Sequence, residues 1–167
     1  MNVIAEGDLR KMKVEPSSPV NYFLSLNEST PVKLNDLLGK RLVLEFTGSI
    51  FCVQCGRPTK KSFQQGHCFP CMRRINECGN CILFPERCQV EHSGCPTDDW
   101  AHSQCHAAHV VYIANSSNLK VGITRESNPS VRWIDQGATQ AISVVSTANR
   151  YQSGLVEVAF KNVLKDK

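Results

Sequence analysis

The residues of this chain whose types and spacing could do chemistry are its cysteines. All nine lie between residues 52 and 105, and three pairs of them have the spacing C-x-x-C. That spacing lets two thiolates reach one tetrahedral cation from a tight turn, whereas a disulfide between such near neighbours would be strained. The middle third of the chain is therefore predicted to fold around metal.

The first four cysteines have the spacing of a zinc ribbon or treble-clef knuckle. Two C-x-x-C pairs, Cys52 with Cys55 and Cys68 with Cys71, are separated by twelve residues. Four thiolates fill the coordination sphere of one zinc ion and leave no open position, so the site is predicted to stabilise the fold without catalysing a reaction. An iron–sulfur cluster and reduced free thiols are the less favoured alternatives.

The remaining candidate ligands predict a second zinc site. Cys78 and Cys81 are expected to belong to it, and the other two ligands come from the set Cys88, Cys95, Cys105 and His109. The ten candidates would thus fill two tetrahedral sites and leave two ligands over, which predicts about two structural zinc ions per chain. Four further histidines are interpreted as solvated loop residues: His67, His92, His102 and His106.

The composition limits which partners and which cellular compartment the sequence predicts. The chain has 167 residues, with 19 basic and 15 acidic side chains, a mild excess that permits nucleic acid as a partner without demanding it. Neither the basic start and apolar run of a signal peptide nor a membrane-spanning stretch is present in the sequence. We therefore expect no membrane partner and a cytoplasmic location, where clustered cysteines bind metal more often than they form bridges.

Three segments are predicted. Residues 1–50 form a small β-rich lead-in, with strands at Tyr22–Leu26 and Leu42–Phe46 and a short helix at Leu34–Leu38. Residues 51–109 form the cysteine-rich module, which has too little apolar periodicity to fold without metal. Residues 110–167 form a compact unit in which regular elements return.

The order of elements in this last segment is predicted to be β-β-α-β-α, so that the chain is of the α+β class. Strands at 110–114 and 119–124 are joined by a turn, and a helix begins at Pro129 and ends near Gly137. A third strand at 141–147 precedes a final amphipathic helix at 153–165, whose predicted buried stripe is Val156, Ala159, Phe160 and Val163.

This segment resembles the GIY-YIG nuclease superfamily. The matching residues are Val111-Tyr112-Ile113, Lys120–Arg125, Arg132 and Glu157, and the second signature is of the K-[IV]-G-[IV]-T type. Over nearly its whole length the chain is also identified as a member of an uncharacterised bacterial family, domain of unknown function 2797. That identification depends on Ile50–Arg57, Lys60–Phe63, Gly66–Cys68, Asn115–Ser117, Lys120–Arg125 and Arg132–Ala138. Relatives usually continue past the position of Lys167, so the resemblance implies that the chain is either a fragment or a naturally shortened product.

The nuclease resemblance implies a catalytic set. Phosphodiester hydrolysis needs a metal that polarises the phosphate, an oriented water and positive charge for the developing anion. By matching position, Glu157 would hold one Mg²⁺ or Mn²⁺, Tyr112 would orient or deprotonate water, and Arg132 would contact the phosphate. Lys120 stands where many relatives have a second tyrosine and would substitute for it as a phosphate contact or base. Lys161 stands where some relatives have a histidine.

These patterns support two main hypotheses of function. The first is a zinc-stabilised nucleic-acid-binding protein that acts as a divalent-metal-dependent endonuclease. The alternative is a non-catalytic zinc-ribbon interaction module on a degenerate nuclease scaffold, in which Tyr112 is a core aromatic and Glu157 an ordinary acid near a helix N-terminus. A redox enzyme that uses the first C-x-x-C pair is a distant third, because zinc would saturate those thiolates.

Overall fold

The computed structural model describes residues 3–27, 30–64, 66–76, 79–89, 95 and 103–164. The chain divides into two compact units, Met1–Ile75 and Asn76–Lys167. Both units contain a small antiparallel sheet, so the mixed α+β class is confirmed. The described residues between 76 and 109, which the sequence grouped with the first four cysteines, belong to the C-terminal unit.

The N-terminal unit begins with a three-stranded antiparallel sheet in the order β1-β2-β3. Its strands are β1 (Lys13–Glu15), β2 (Asn21–Leu24) and β3 (Val32–Lys33). The 3-10 helix Leu34–Leu37 follows, and its Asn35 side chain accepts from the backbone N–H of Tyr22 at 2.8 Å. The predicted first strand and the short helix are therefore confirmed, the latter with 3-10 geometry.

The predicted strand at Leu42–Phe46 is wrong. This segment has no regular structure, and Val43, Leu44 and Phe46 are 59%, 86% and 72% exposed. An alternating apolar pattern gives a strand only where another strand supplies hydrogen bonds. Within the described part of the chain nothing pairs with this segment.

The C-terminal unit is built on a second antiparallel sheet in the order β5-β4-β6. The central strand β4 (His109–Asn115) pairs along its whole length with β5 (Leu119–Arg125) and with β6 (Gln140–Thr147). The core lies on β4, where Val111 and Tyr112 are almost completely buried. The hairpin and the third strand were correctly predicted.

The α-helices whose bounds lie within the described residues are α1 (Phe69–Asn76), α2 (Pro129–Asp135) and α3 (Arg150–Lys161). Pro129 suits the first turn of α2 because a proline lacks only an N–H that would have no helical partner there. Gly137, at φ +68°, follows α2 in the left-handed conformation that glycine tolerates. The β-β-α-β-α order is thus confirmed.

The last helix differs from the prediction in its start and in its packed face. It begins at Arg150 because the Asn149 side chain caps it, accepting from the backbone N–H of Gln152 at 2.9 Å. Its buried residues are Ser153 and Gly154, whereas Ala159 is exposed and Val163 is 79% exposed. It ends at Lys161, and the described residues 162–164 are not helical, so the predicted continuation to Lys165 is wrong.

Gly154 explains this choice of face. A Cβ at Gly154 would stand 2.7 Å from the Cβ of Pro85, so α3 approaches the 3-10 helix Pro85–Arg87 more closely than any larger residue allows. The helix therefore packs through its small residues and leaves part of the apolar stripe in solvent. No helix among the described residues is long and apolar enough to cross a membrane.

Candidate functional site

The first four cysteines come together in the N-terminal unit. Cys52 and Cys55 flank a tight turn, closed by the hydrogen bond from the Gly56 N–H to the Cys52 carbonyl at 2.9 Å. Gly56 has φ +67°, a conformation that favours glycine. Cys68 immediately precedes α1 and Cys71 lies in its first turn, so a turn and a helix start each supply two thiols.

The spacing of the four sulfur atoms fits a zinc ion. All four Sγ atoms lie within 4.8 Å of one another, and those of Cys55 and Cys68 are 3.8 Å apart. Tetrahedral Zn–S bonds of about 2.3 Å place neighbouring sulfurs about 3.8 Å apart, whereas a disulfide bond is only about 2.05 Å long. The four cysteines therefore form a site that could bind one zinc ion, as the sequence predicted.

Backbone hydrogen bonds prepare this site for a cation. The Cys68 N–H donates to the Cys52 Sγ at 3.2 Å, and such amide contacts lower the pKa of Cys52 to about 5. Contacts with the other sulfurs, that of Cys68 first, raise the pKa of Cys71 to about 12. Four thiols this close cannot all ionise together unless a cation lies among them, which is the condition that zinc meets.

The cysteines are also the core of their region. Cys52, Cys68 and Cys71 are buried and form a cluster of their own, whereas Cys55 is exposed. A cluster made only of thiols supplies little hydrophobic stabilisation, so metal binding is expected to provide much of the folding free energy here.

The second group of predicted ligands is only partly described. Cys78 lies outside the described residues, and within those described no second group of three metal-binding side chains comes as close together as the first. Burial is the main cause that raises the pKa of Cys105, and Cys88 and Cys95 add to it through like-charge repulsion. His109 is buried on β4, with its Nδ1 at 2.7 Å from the Ala107 carbonyl. The second zinc ion therefore stays a prediction.

A polar pocket of about 410 Å³ lies in the C-terminal unit. All four residues of the predicted catalytic set line it: Tyr112 from β4, Lys120 from β5, Arg132 from α2 and Glu157 from α3. Three more polar residues that the sequence did not assign to the site also line it, Gln136, Arg150 and Lys161. Gln136 and Lys161 each lie four residues after a predicted residue, a helical spacing that could have identified them.

Tyr112 is held inside this pocket and is 1% exposed. Its hydroxyl donates to the Gln136 Oε1 at 2.7 Å, and the centroid of its ring lies 6.0 Å from the centroid of the Trp133 ring. Burial raises the pKa of Tyr112 above its usual value of 10.0, and the positive charge of Arg132 partly opposes this. The phenol is therefore neutral at physiological pH and is a poor general base.

Glu157 and the basic residues set the charge of the pocket. The lining carries four basic side chains and one carboxylate, and the Lys161 Nζ lies 3.4 Å from the Glu157 Oε1. The Arg150 guanidinium donates to the carbonyls of Cys81 and Ile82, both at 2.7 Å, and so links these two residues to the start of α3. An excess of positive charge around a concave site favours an anionic ligand.

A comparison with known protein families confirms the family that the sequence predicted. Residues 39–167 match the family described as protein of unknown function DUF2797, so the chain belongs to that family. No match to this chain was found among the curated proteins or among the solved structures.

Proposed function

We propose that this is a zinc-stabilised nucleic-acid-binding protein whose C-terminal pocket takes a backbone phosphate. The observation that carries the proposal is the convergence of Lys120, Arg132, Arg150 and Lys161 around one cavity with a single carboxylate. Phosphate contacts from arginine and lysine supply most of the affinity of proteins for nucleic acid. Because Arg150 already holds two carbonyls, Lys120, Arg132 and Lys161 are the expected phosphate ligands.

Endonuclease activity at this pocket extends the proposal. The four residues implied by the GIY-YIG resemblance line one cavity, on elements in the order β-β-α-β-α. Glu157 would hold one Mg²⁺ or Mn²⁺, which when bound polarises the phosphate. Lys161 must then leave the Glu157 carboxylate and is free to contact the substrate, while Arg132 neutralises the developing charge.

Non-catalytic binding is the second candidate, and two contacts favour it. The Tyr112 hydroxyl is buried and already donates to Gln136, and Lys161 is paired with the only carboxylate of the pocket. In this case the exposed basic residues of the N-terminal unit would add phosphate contacts of their own. They are Arg57, Lys60, Lys61, Arg73 and Arg74.

A second zinc ion is part of the proposal. It would use Cys78 and Cys81 with two of Cys88, Cys95, Cys105 and His109. Cys88 and Cys95 act electrostatically on Cys105, which supports their being close. The contact of the His109 Nδ1 with a carbonyl leaves Nε2 as the free ring nitrogen, the arrangement usual in zinc-binding histidines.

Binding and cleavage assays test the two candidates separately. Purified protein is incubated with supercoiled plasmid, single-stranded DNA and structured RNA, with Mg²⁺ or Mn²⁺ and with EDTA. We expect the affinity for these nucleic acids to fall in Arg132→Ala. It should not fall in Arg125→Ala, which removes an exposed arginine of β5 outside the pocket. Equal affinities of these two variants would contradict the proposed binding site.

Cleavage has its own pair of variants. Glu157→Ala should abolish any metal-dependent cleavage, whereas Glu126→Ala, which removes an exposed acid outside the pocket, should leave it intact. Cleavage that survives Glu157→Ala unchanged rules out the proposed active site. Binding without cleavage by the wild-type protein would support the non-catalytic candidate.

A further inference from the structure

Gln136 has a contact in the pocket that the nuclease resemblance does not explain. It follows α2 directly, and its backbone N–H bonds to the carbonyls of Arg132 and Trp133, both at 3.2 Å. Its side chain lines the pocket and its Oε1 accepts the hydroxyl proton of Tyr112 at 2.7 Å. The helix end thus fixes the backbone from which this acceptor reaches the phenol.

Arg132 lines the same pocket, and a side-chain hydrogen bond and positive charge from it act on the phenol against the effect of burial, which raises the pKa of Tyr112. A guanidinium can only donate hydrogen bonds, so the phenol oxygen must accept from it. The phenol has a single proton, and when that proton points to another acceptor the oxygen lone pairs are left to accept from the guanidinium. Gln136 is that acceptor.

We infer that Gln136 is a positioning residue of the pocket. By accepting the Tyr112 proton it turns the lone pairs of the phenol toward Arg132, and so holds the guanidinium where a backbone phosphate of the nucleic acid would meet it. This inference rests on the proposed phosphate binding. It gives Tyr112 the role of orienting Arg132 in place of activating water.

Burial of the phenol is consistent with this role. Tyr112 is 1% exposed, and a Cβ at Gly122 would lie 2.6 Å from its Oη, so the oxygen is confined between the sheet and the helix end. A neutral phenol in such a place keeps both of its hydrogen-bonding functions, because water does not compete for them.

A double-mutant cycle tests the inference with the full-length chain and a fluorescein-labelled single-stranded oligonucleotide. Gln136→Met keeps a side chain of similar length and removes the acceptor. Dissociation constants are measured over a series of salt concentrations for this variant, for Arg132→Ala, for Tyr112→Phe and for the double variant of Gln136 and Tyr112. Gln140→Met, an exposed glutamine of β6 outside the pocket, is the matched control.

The expected weakening is about 10- to 100-fold for Arg132→Ala, the effect of a hydrogen bond to a charged group, and about 2- to 10-fold for Gln136→Met. Tyr112→Phe should match Gln136→Met, and the double variant should be no weaker than Tyr112→Phe alone. The slope of the logarithm of the association constant against the logarithm of the salt concentration should become about 0.7 less steep in Arg132→Ala. In Gln136→Met it should become less steep by a smaller amount. Gln140→Met should retain the wild-type values.

Failures of the inference and of the proposed function are distinguishable. If Arg132→Ala binds as tightly as wild type, the phosphate pocket itself is wrong and the inference is overturned with it. If Arg132→Ala weakens binding but Gln136→Met does not, only the inference is overturned. Additive effects of the two substitutions would also overturn it, because Gln136 would then act on the ligand without Tyr112. Should Gln136→Met lower the unfolding temperature, Tyr112→Phe removes the same hydrogen bond from the other side and decides the question.

Discussion

The ring of Tyr112 occupies the space beside Gly122, its partner across strands β4 and β5. A Cβ at Gly122 would lie 2.6 Å from the Tyr112 Oη and 2.7 Å from its Cζ, distances that real side chains do not tolerate. The glycine of the K-[IV]-G-[IV]-T signature therefore makes room for the tyrosine of the preceding strand. This relationship places the phenol oxygen 2.7 Å from the Gln136 Oε1, in the pocket that Arg132 also lines.

Gly122→Ala should consequently displace Tyr112 and destabilise the C-terminal unit. The added methyl group clashes with a buried ring, and such overpacking costs about 1–3 kcal/mol. Ser143→Ala is the matched control, because Ser143 pairs with Tyr112 on the other side, from the exposed edge strand β6, and its replacement should change stability by less than about 0.5 kcal/mol. Denaturant unfolding of the wild-type protein and the two variants measures these changes in unfolding free energy. Equal stability of Gly122→Ala and wild type would contradict the close contact.

The elements that could be predicted from the sequence are those specified by local patterns. The spacing of Cys52, Cys55, Cys68 and Cys71 is itself the geometry of one metal site, so the first cluster needed no tertiary information. The strands and helices after residue 109 follow from runs of apolar residues, from the polar turn at 115–118, from Pro129 and from Gly137.

The elements that could not be predicted depend on partners distant in sequence. Leu42–Phe46 has the alternation of a strand, yet a strand needs a neighbour, and no local signal says whether one exists. The packed face of α3 is set by the close approach of Gly154 to Pro85, about seventy residues earlier, which no helical periodicity contains. Arg150 joins the pocket for the same reason, since it is held there by the carbonyls of Cys81 and Ile82, almost seventy residues earlier.

Gly154→Ala should show the opposite sign from an ordinary helix substitution. In an exposed helix interior, alanine is more favourable than glycine by about 1 kcal/mol. Here the added Cβ would lie 2.7 Å from both the Pro85 Cβ and the Glu86 backbone nitrogen, so it should force α3 away from the segment Pro85–Arg87 and destabilise the unit by about 1–3 kcal/mol. Thermal unfolding measures the change. A stabilised Gly154→Ala variant would show that this contact is not made.

Zinc content is expected to depend on the first four cysteines. Elemental analysis of protein purified without added metal should find about two zinc ions per chain, and a single ion would keep the first site only. Cys68→Ser should release the ion of the first site and unfold residues 51–75, because that cluster is the core of its region. Cys105→Ser is the matched control, since Cys105 belongs to the other unit and should leave the first site loaded. A zinc content near zero in the wild-type protein, or iron with visible absorbance, would contradict the zinc assignment.

Above pH 10, the wild-type protein should lose stability faster than Tyr112→Phe. Burial raises the pKa of Tyr112 above 10.0, so in this range the unfolded chain releases the phenol proton while the folded protein keeps it. The favourable contribution of the neutral phenol is therefore complete below pH 10 and is lost as the pH rises toward the folded-state pKa, with a slope of up to about 1.4 kcal/mol per pH unit. The difference in unfolding free energy between the two proteins, measured by urea denaturation from pH 7 to 11.5, removes the contribution of all other titrating groups. It should be constant from pH 7 to 9 and should then move in favour of the phenylalanine variant. Parallel profiles up to pH 11.5 would mean that the folded protein ionises Tyr112 as readily as the unfolded chain does, and that the phenol is open to water.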